Sequence, residues 1–188
     1  MDKKSIHNFW RSPDDSNLPT HYLSGEERSK FLLRLIKKYG KPKDKILEIG
    51  CNVGRNLNYL YTHEFKNIEG VEINKEAVEL FKEHYNLPIK IYNSPIEEVI
   101  KKLGNYDIIF TMAVLEHIHT DSEWIFPEIQ KRAKVLITIE DEKGISWRHF
   151  PRNYKNIFKN QIEEIPLSKK EGLDNNFKAR IYGNKIRR

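Results

Sequence analysis

From Lys45 onward, short β-branched and apolar runs alternate with stretches of helical periodicity, and this alternation restricts the fold more than any other feature. Ile46–Ile49 reads as a strand, 54–62 as a helix and 67–72 as a second strand. A helix over Lys75–Tyr85 follows, stopped before Pro88. A third strand over 89–92, a helix over 96–103 ended by Gly104, and a fourth strand over Tyr106–Met112 come next. A helix over 122–132 and a fifth strand over 135–139 complete the run. Strands separated by helices cannot form hairpins with one another, so they pair in parallel with helices covering both faces.

The flanks are less regular. Residues 1–42 read as an N-terminal arm with one short helix, then a longer helix in which Phe31, Leu32, Leu35 and Ile36 repeat at helical spacing up to Gly40. Ser24, with Glu27 three residues on, is the expected cap. In 141–188, a helix is expected over 151–159 with Pro151 in its first turn, then strands over 162–167 and 177–186. An antiparallel closing pair gives a seven-stranded, mostly parallel sheet in a three-layer α/β/α domain, with residues 43–140 as its core and no second domain.

Charge and cysteine content narrow the functions. The formal charge of +6 and pI near 9.2 suit an anionic partner, but the lysines are spread along the chain, with one small cluster at Lys185, Arg187 and Arg188. Cys51 is the only cysteine, which excludes an internal disulfide and a cysteine-built zinc site. No acidic cluster is visible after the fourth strand, and no metal is expected. No run approaches the roughly 18 apolar residues of a membrane span, and no apolar leader opens the chain, so the cytoplasm is expected.

The segment Ile46-Leu47-Glu48-Ile49-Gly50-Cys51-Asn52-Val53-Gly54-Arg55-Asn56 is a strand, a glycine-bearing turn and a helix start, where open α/β sheets bind ligands. A dinucleotide fingerprint needs glycines at 50, 52 and 55, and Asn52 and Arg55 break it; no Gly-Lys-Ser/Thr follows for a phosphate loop. Glu48, in an otherwise apolar strand, is costly to bury without a cationic or hydrogen-bonding partner and repels a pyrophosphate.

In these residues the chain resembles the class I S-adenosylmethionine-dependent methyltransferases, whose first motif is an acidic residue followed by alternating glycines. Glu48-x-Gly50-x-Asn52-x-Gly54 follows it, with Asn52 in place of the middle glycine. The resemblance runs over about 44–140. It implies that Glu48, Gly50, Cys51, Asn52 and Gly54 line the cofactor, that Glu72 holds the ribose hydroxyls and that Ile73 packs on the adenine. Ser94 and Pro95 would meet the adenine edge, where the family usually has an aspartate. Thr111 and Met112 would lie beside the methionine moiety, ahead of the family-like stretch Leu115-Glu116-His117-Ile118.

Cys51 is otherwise a packing residue, since methyl transfer from a sulfonium needs no covalent relay. His117 and His149 are the candidate general bases, against purely structural roles. Trp147, Arg148 and Arg152 suit an anionic or sugar-like acceptor or serve to pin a loop, and Trp10 and Tyr22 are candidates for a lid. The reading is O- or N-methylation of a small-molecule or glycan-type acceptor. The alternatives are RNA methylation at a ribose or ring nitrogen, and a catalytically silent cofactor-binding subunit. Adenine N-methylation is disfavoured because Thr111-Met112-Ala113-Val114 lacks the proline-aromatic motif.

Overall fold

The computed structural model describes residues 2–183. Helix α1 (Lys3–Arg11) and two 3-10 turns form the arm, and α2 (Glu26–Tyr39) leads into the sheet. Then follow β1 (Ile46–Ile49), α3 (Arg55–Thr62), β2 (Ile68–Glu72), α4 (Lys75–Tyr85), β3 (Lys90–Asn93), α5 (Ile96–Val99) and β4 (Tyr106–Met112). The chain continues through α6 (Ile125–Arg132), β5 (Ala133–Asp141), α7 (Tyr154–Ile157), β6 (Gln161–Pro166) and β7 (Phe177–Gly183). The strand order is β3-β2-β1-β4-β5-β7-β6. Strands β1 to β5 pair in parallel, and β7 runs antiparallel to both β5 and β6. The expected seven-stranded, mostly parallel sheet is therefore the observed one.

Strand periodicity sorts side chains between two cores. Ile46, Ile108 and Phe110 pack with Leu32, Leu35 and Ile36 of α2 and Leu57 and Leu60 of α3. Their neighbours Leu47, Ile49 and Ile109 point the other way, to Ile96, Ile125, Ile129 and Tyr154. Glu48 has the parity of Ile46, so the sheet aims it at α2 and α3. The order of the sheet reverses between β1 and β4, which opens a crevice at the carboxyl ends of these strands.

Local signals set most boundaries. The Asn74 side chain caps α4 by accepting from Ala77 N–H at 3.2 Å, and Asn86 ends the helix in the left-handed region at φ 43°. Helix α2 is entered through Gly25 at φ 97°, not through a Ser24 cap. The Ser24 carbonyl instead accepts from Arg55 Nη1 at 2.6 Å, and Glu26 and Glu27 complement the helix dipole. The helix expected over 151–159 shrinks to Tyr154–Ile157 and is capped by Asn153. Buried Arg152 explains the loss: it donates to the carbonyls of Leu115, Phe150 and Ile118, holding its own segment off the helix. The expected strand over 177–186 is observed as far as Gly183, and the cluster of Lys185, Arg187 and Arg188 lies outside the described residues.

Candidate functional site

At the reversal point lies a cavity of about 310 Å³, within the range of small-ligand and cofactor sites. Glu48, Gly50, Cys51, Asn52, Glu72, Ile73, Ser94, Pro95 and Met112 all line it, as do His117 and His149. The cofactor-side residues and the two histidines expected from the sequence thus share one space. Gly54 and Thr111 do not line it. Gly54 is needed for packing: its φ is +70°, and a Cβ there would sit 2.2 Å from the Phe81 ring. Thr111 is fully buried.

The turn after β1 is built from left-handed residues. Gly50 has φ +72°, and a Cβ there would stand 2.4 Å from Val114, which lines the same cavity. Asn52 at φ 46° adopts the conformation for which a glycine is usual, and asparagine tolerates that region better than most residues. Its N–H donates to Glu72 Oε2 at 2.7 Å, while Asn74 N–H donates to Glu72 Oε1 at 2.7 Å. Two backbone donors therefore fix the Glu72 carboxylate at the end of β2. Its pKa is still raised, because burial outweighs those donors.

Glu48 is held by a chain of side chains. Asn56 of α3 donates to Glu48 Oε1 at 2.8 Å and accepts from Ser29 of α2 at 2.8 Å, and Arg55 Nε donates to Ser29 Oγ at 3.2 Å. The second carboxylate oxygen, Oε2, is buried and has no hydrogen-bond partner. Burial pushes the Glu48 carboxyl up to about 8, against the pull of Asn56 and Arg55. Asn56 was not singled out in the sequence; its position in the first turn of the helix after the glycine turn, facing the strand carboxylate, is the signal that points to it. Cys51 is buried, and its thiol is pushed well above the ordinary value by burial and then by Glu72, which suits packing and not nucleophilic attack.

Behind the part of the cavity lined by His117 and His149, acidic residues from two strand ends come together. Glu116, Glu140 and Asp141 are all buried beside the ends of β4 and β5. Glu140 Oε2 accepts from Val114 and Leu115 N–H at 2.8 and 2.9 Å, while its Oε1 is buried without a partner. Glu116 Oε2 accepts from Asp141 N–H at 2.5 Å. Burial raises both glutamates, and the proximity of Glu140 raises Glu116 further. Glu116 Oε1 faces Nε2 of His117 at 3.7 Å and of His149 at 3.8 Å. His117 Nδ1 bonds the Arg148 carbonyl at 2.9 Å, and His149 Nδ1 bonds Ser146 Oγ at 2.5 Å. Burial lowers His117 to about 3, and burial and then the Arg148 charge lower His149. These residues lie far apart in sequence, and only the adjacency of β4 and β5 joins them.

The arm closes this end. Trp10 packs at a tilt against His117, with 4.5 Å between ring centroids, and the Arg148 guanidinium lies 5.1 Å from the Phe9 ring. Trp10 and Tyr22, the two lid candidates, line the cavity, as does Arg148. Arg152 pins the loop, and Trp147 packs edge-on against Phe9.

A parallel sheet with acidic residues ending β1 and β2 beside a glycine turn defines a Rossmann-like, nucleoside-binding class of α/β protein. The chain belongs to the family described as Methyltransferase domain, whose sequence model matches residues 21–152. Its fold is that of the class I S-adenosylmethionine-dependent methyltransferases. No curated protein matches the chain in sequence. Among solved structures, the methyltransferase domain of bacterial CtHen1 superposes with TM-score 0.67 at 15% identity, covering 84% of this chain and 98% of that one. TehB from Haemophilus influenzae gives 0.65 at 18%, covering 83% of this chain and 62% of that one. Magnesium protoporphyrin IX methyltransferase from Synechocystis PCC 6803, solved with bound SAM, gives 0.68 at 15%, covering 96% and 95%. No helix among the described residues is long and apolar enough to cross a membrane.

Proposed function

We propose that this chain transfers a methyl group from S-adenosylmethionine to an oxygen or nitrogen of a small-molecule or glycan-type acceptor. The observation that carries the proposal is Glu48, a buried carboxylate whose Oε2 has no partner beside a cavity of cofactor size. Such a group calls for a cationic or hydrogen-bonding ligand, and S-adenosylmethionine brings both an ammonium and a sulfonium. The fit extends along the cavity. Gly50 leaves room where a side chain would collide, and Glu72, fixed by two backbone donors, presents its remaining lone pairs as acceptors for ribose hydroxyls. Ile73, with Ser94 and Pro95, offers an apolar face and a polar edge for adenine, and Met112 with Cys51 lines the side toward β4.

When bound, S-adenosylmethionine supplies a methyl group on a good leaving group, so alignment is the main task left to the protein. His117 and His149, both neutral, stand across the cavity from Glu48 and Glu72 as candidates to take a proton from the acceptor. Burial makes His117 a weak base, which favours the less buried His149 for that task.

The test is release of S-adenosylhomocysteine from S-adenosylmethionine in the presence of small hydroxyl and amino acceptors, oligosaccharides and RNA. Turnover with a small acceptor or an oligosaccharide supports the reading, and turnover only with RNA replaces its acceptor class. Turnover that appears only when a second protein is added points to a cofactor-binding subunit.

A further inference from the structure

We propose that Glu116, His117 and His149 form a binding site for a divalent transition-metal ion, open toward the cavity. One ligand atom from each lies within 4.8 Å of the other two. Metal bonds of about 2.1 Å place neighbouring ligands of one ion roughly 3–3.5 Å apart, so modest side-chain adjustment closes the separations of 3.7 and 3.8 Å onto a shared ion.

The hydrogen bonds around the cluster point the same way. His117 Nδ1 has only a carbonyl to bond, that of Arg148, so it carries the proton and Nε2 is left as a lone pair. That lone pair faces a carboxylate oxygen at 3.7 Å, beyond hydrogen-bond range. His149 is oriented through Nδ1 by Ser146 Oγ, which turns Nε2 toward Glu116. Glu116 is oriented through its other oxygen by Asp141 N–H. Three potential ligand atoms thus converge, and each side chain is held from behind by a partner on its far atom. Metal-ligating side chains are oriented by such outer partners. A cation between the three would bond one atom of each.

Two imidazoles and one carboxylate favour a borderline ion such as Mn²⁺, Fe²⁺, Co²⁺ or Zn²⁺ over Mg²⁺ or Ca²⁺. Three protein ligands leave coordination positions free, and both histidines line the cavity, so those positions open into it. On the methyl-transfer reading, an acceptor hydroxyl would fill one of them and lose its proton more readily there, and with Nε2 on the ion neither histidine would then act as the base. The metal site itself does not depend on that reading.

The experiment is titration of chelator-stripped protein with Co²⁺ and with Zn²⁺, followed by calorimetry and by the visible absorption of bound Co²⁺. Glu116→Gln, His117→Ala and His149→Gln are compared with His63→Ala, which lies outside the cluster. One equivalent bound, at least tenfold weaker in each cluster variant and unchanged in His63→Ala, is the expected result. Circular dichroism of the metal-free variants identifies any that fail to fold; the half-buried His149 makes His149→Gln the variant most tolerant of change. Absence of stoichiometric binding at millimolar ion, or binding that His149→Gln and Glu116→Gln leave intact, overturns the proposal. A parallel titration with S-adenosylhomocysteine in excess chelator separates the two readings: binding there with no metal binding removes the metal site alone.

Discussion

Glu48 and Glu72 line one part of the cavity, while Glu116 and Glu140 lie behind the wall that carries His117 and His149, and all four are buried. At the β1–β2 end, each carboxylate belongs to a strand and is held by donors close at hand: Asn56 for Glu48, and the N–H groups of Asn52 and Asn74 for Glu72. At the β4–β5 end, Glu116 comes from a 3-10 turn and Glu140 from a strand, and backbone donors from the facing segment hold each of them. The first end is a local design of strand, turn and helix. The second exists only after β4, β5 and the loop to α7 have assembled, so the two ends should fail independently.

Arg152→Ala tests this independence with the largest expected effect. Its guanidinium bonds three loop carbonyls and Glu123, so its loss leaves buried acceptors unsatisfied and costs about 3 kcal/mol or more. Urea unfolding should show that loss, while S-adenosylhomocysteine affinity stays within a few fold. A collapse of cofactor affinity in the still-folded variant would show that the ends are coupled. Gly54→Ala breaks the other end. It forces a left-handed alanine against Phe81, for a destabilisation of about 2–4 kcal/mol, measured in the same way.

The charge state of Glu48 sharpens the comparison further. Its carboxyl is raised from 4.5 to about 8, so the folded chain keeps a proton that the unfolded chain releases. Its contribution to stability is then fully present below about pH 4.5 and lost as pH rises toward 8, and Glu72 shifts in the same direction. Arg55 and Asn56 face Glu48 and oppose the shift, and Glu72 reinforces it. Between pH 5 and 8 the ligand-free protein should lose stability of roughly 3–4 kcal/mol through Glu48. Glu48→Gln should remove that share of the slope; equal slopes in the two proteins would mean that Glu48 is already ionised at pH 5. The smallest effect is expected from Ala113→Gly. Ala113 sits at φ 57° on the cavity wall, so relief of left-handed strain and the added chain entropy of glycine nearly cancel, to within about 0.5 kcal/mol.

The same contrast governs how much could be read from the chain alone. The β1–β2 end is sequence-local: Glu48 interrupts an apolar strand, Gly50 and Gly54 bracket a turn, and Glu72 ends the next strand. Their meeting follows from parallel pairing of β1 with β2. Gly54 stands behind the cavity wall against Phe81, and a glycine needed for close packing looks the same in sequence as one needed for ligand approach. Thr111 is buried, and its neighbour Met112 takes the cavity-facing position. At the other end, Glu116, Glu140 and His149 carry no mutual spacing rule. Their convergence depends on the register of β4 against β5 and on a loop held by Arg152. The shortened α7 has the same origin, since buried Arg152 overrides the helix start that Pro151 signals.

The central claim is that the β1–β2 end holds S-adenosylmethionine. Calorimetric titration of the purified protein with S-adenosylhomocysteine, beside Glu72→Ala, tests it most directly. Loss of charge-assisted hydrogen bonds of about 1.5–3 kcal/mol corresponds to roughly 10- to 100-fold in affinity. Micromolar binding by the wild type, weakened by that factor in a folded Glu72→Ala protein, is the expected result. No binding by the folded wild type, or equal binding by both proteins, would contradict the claim.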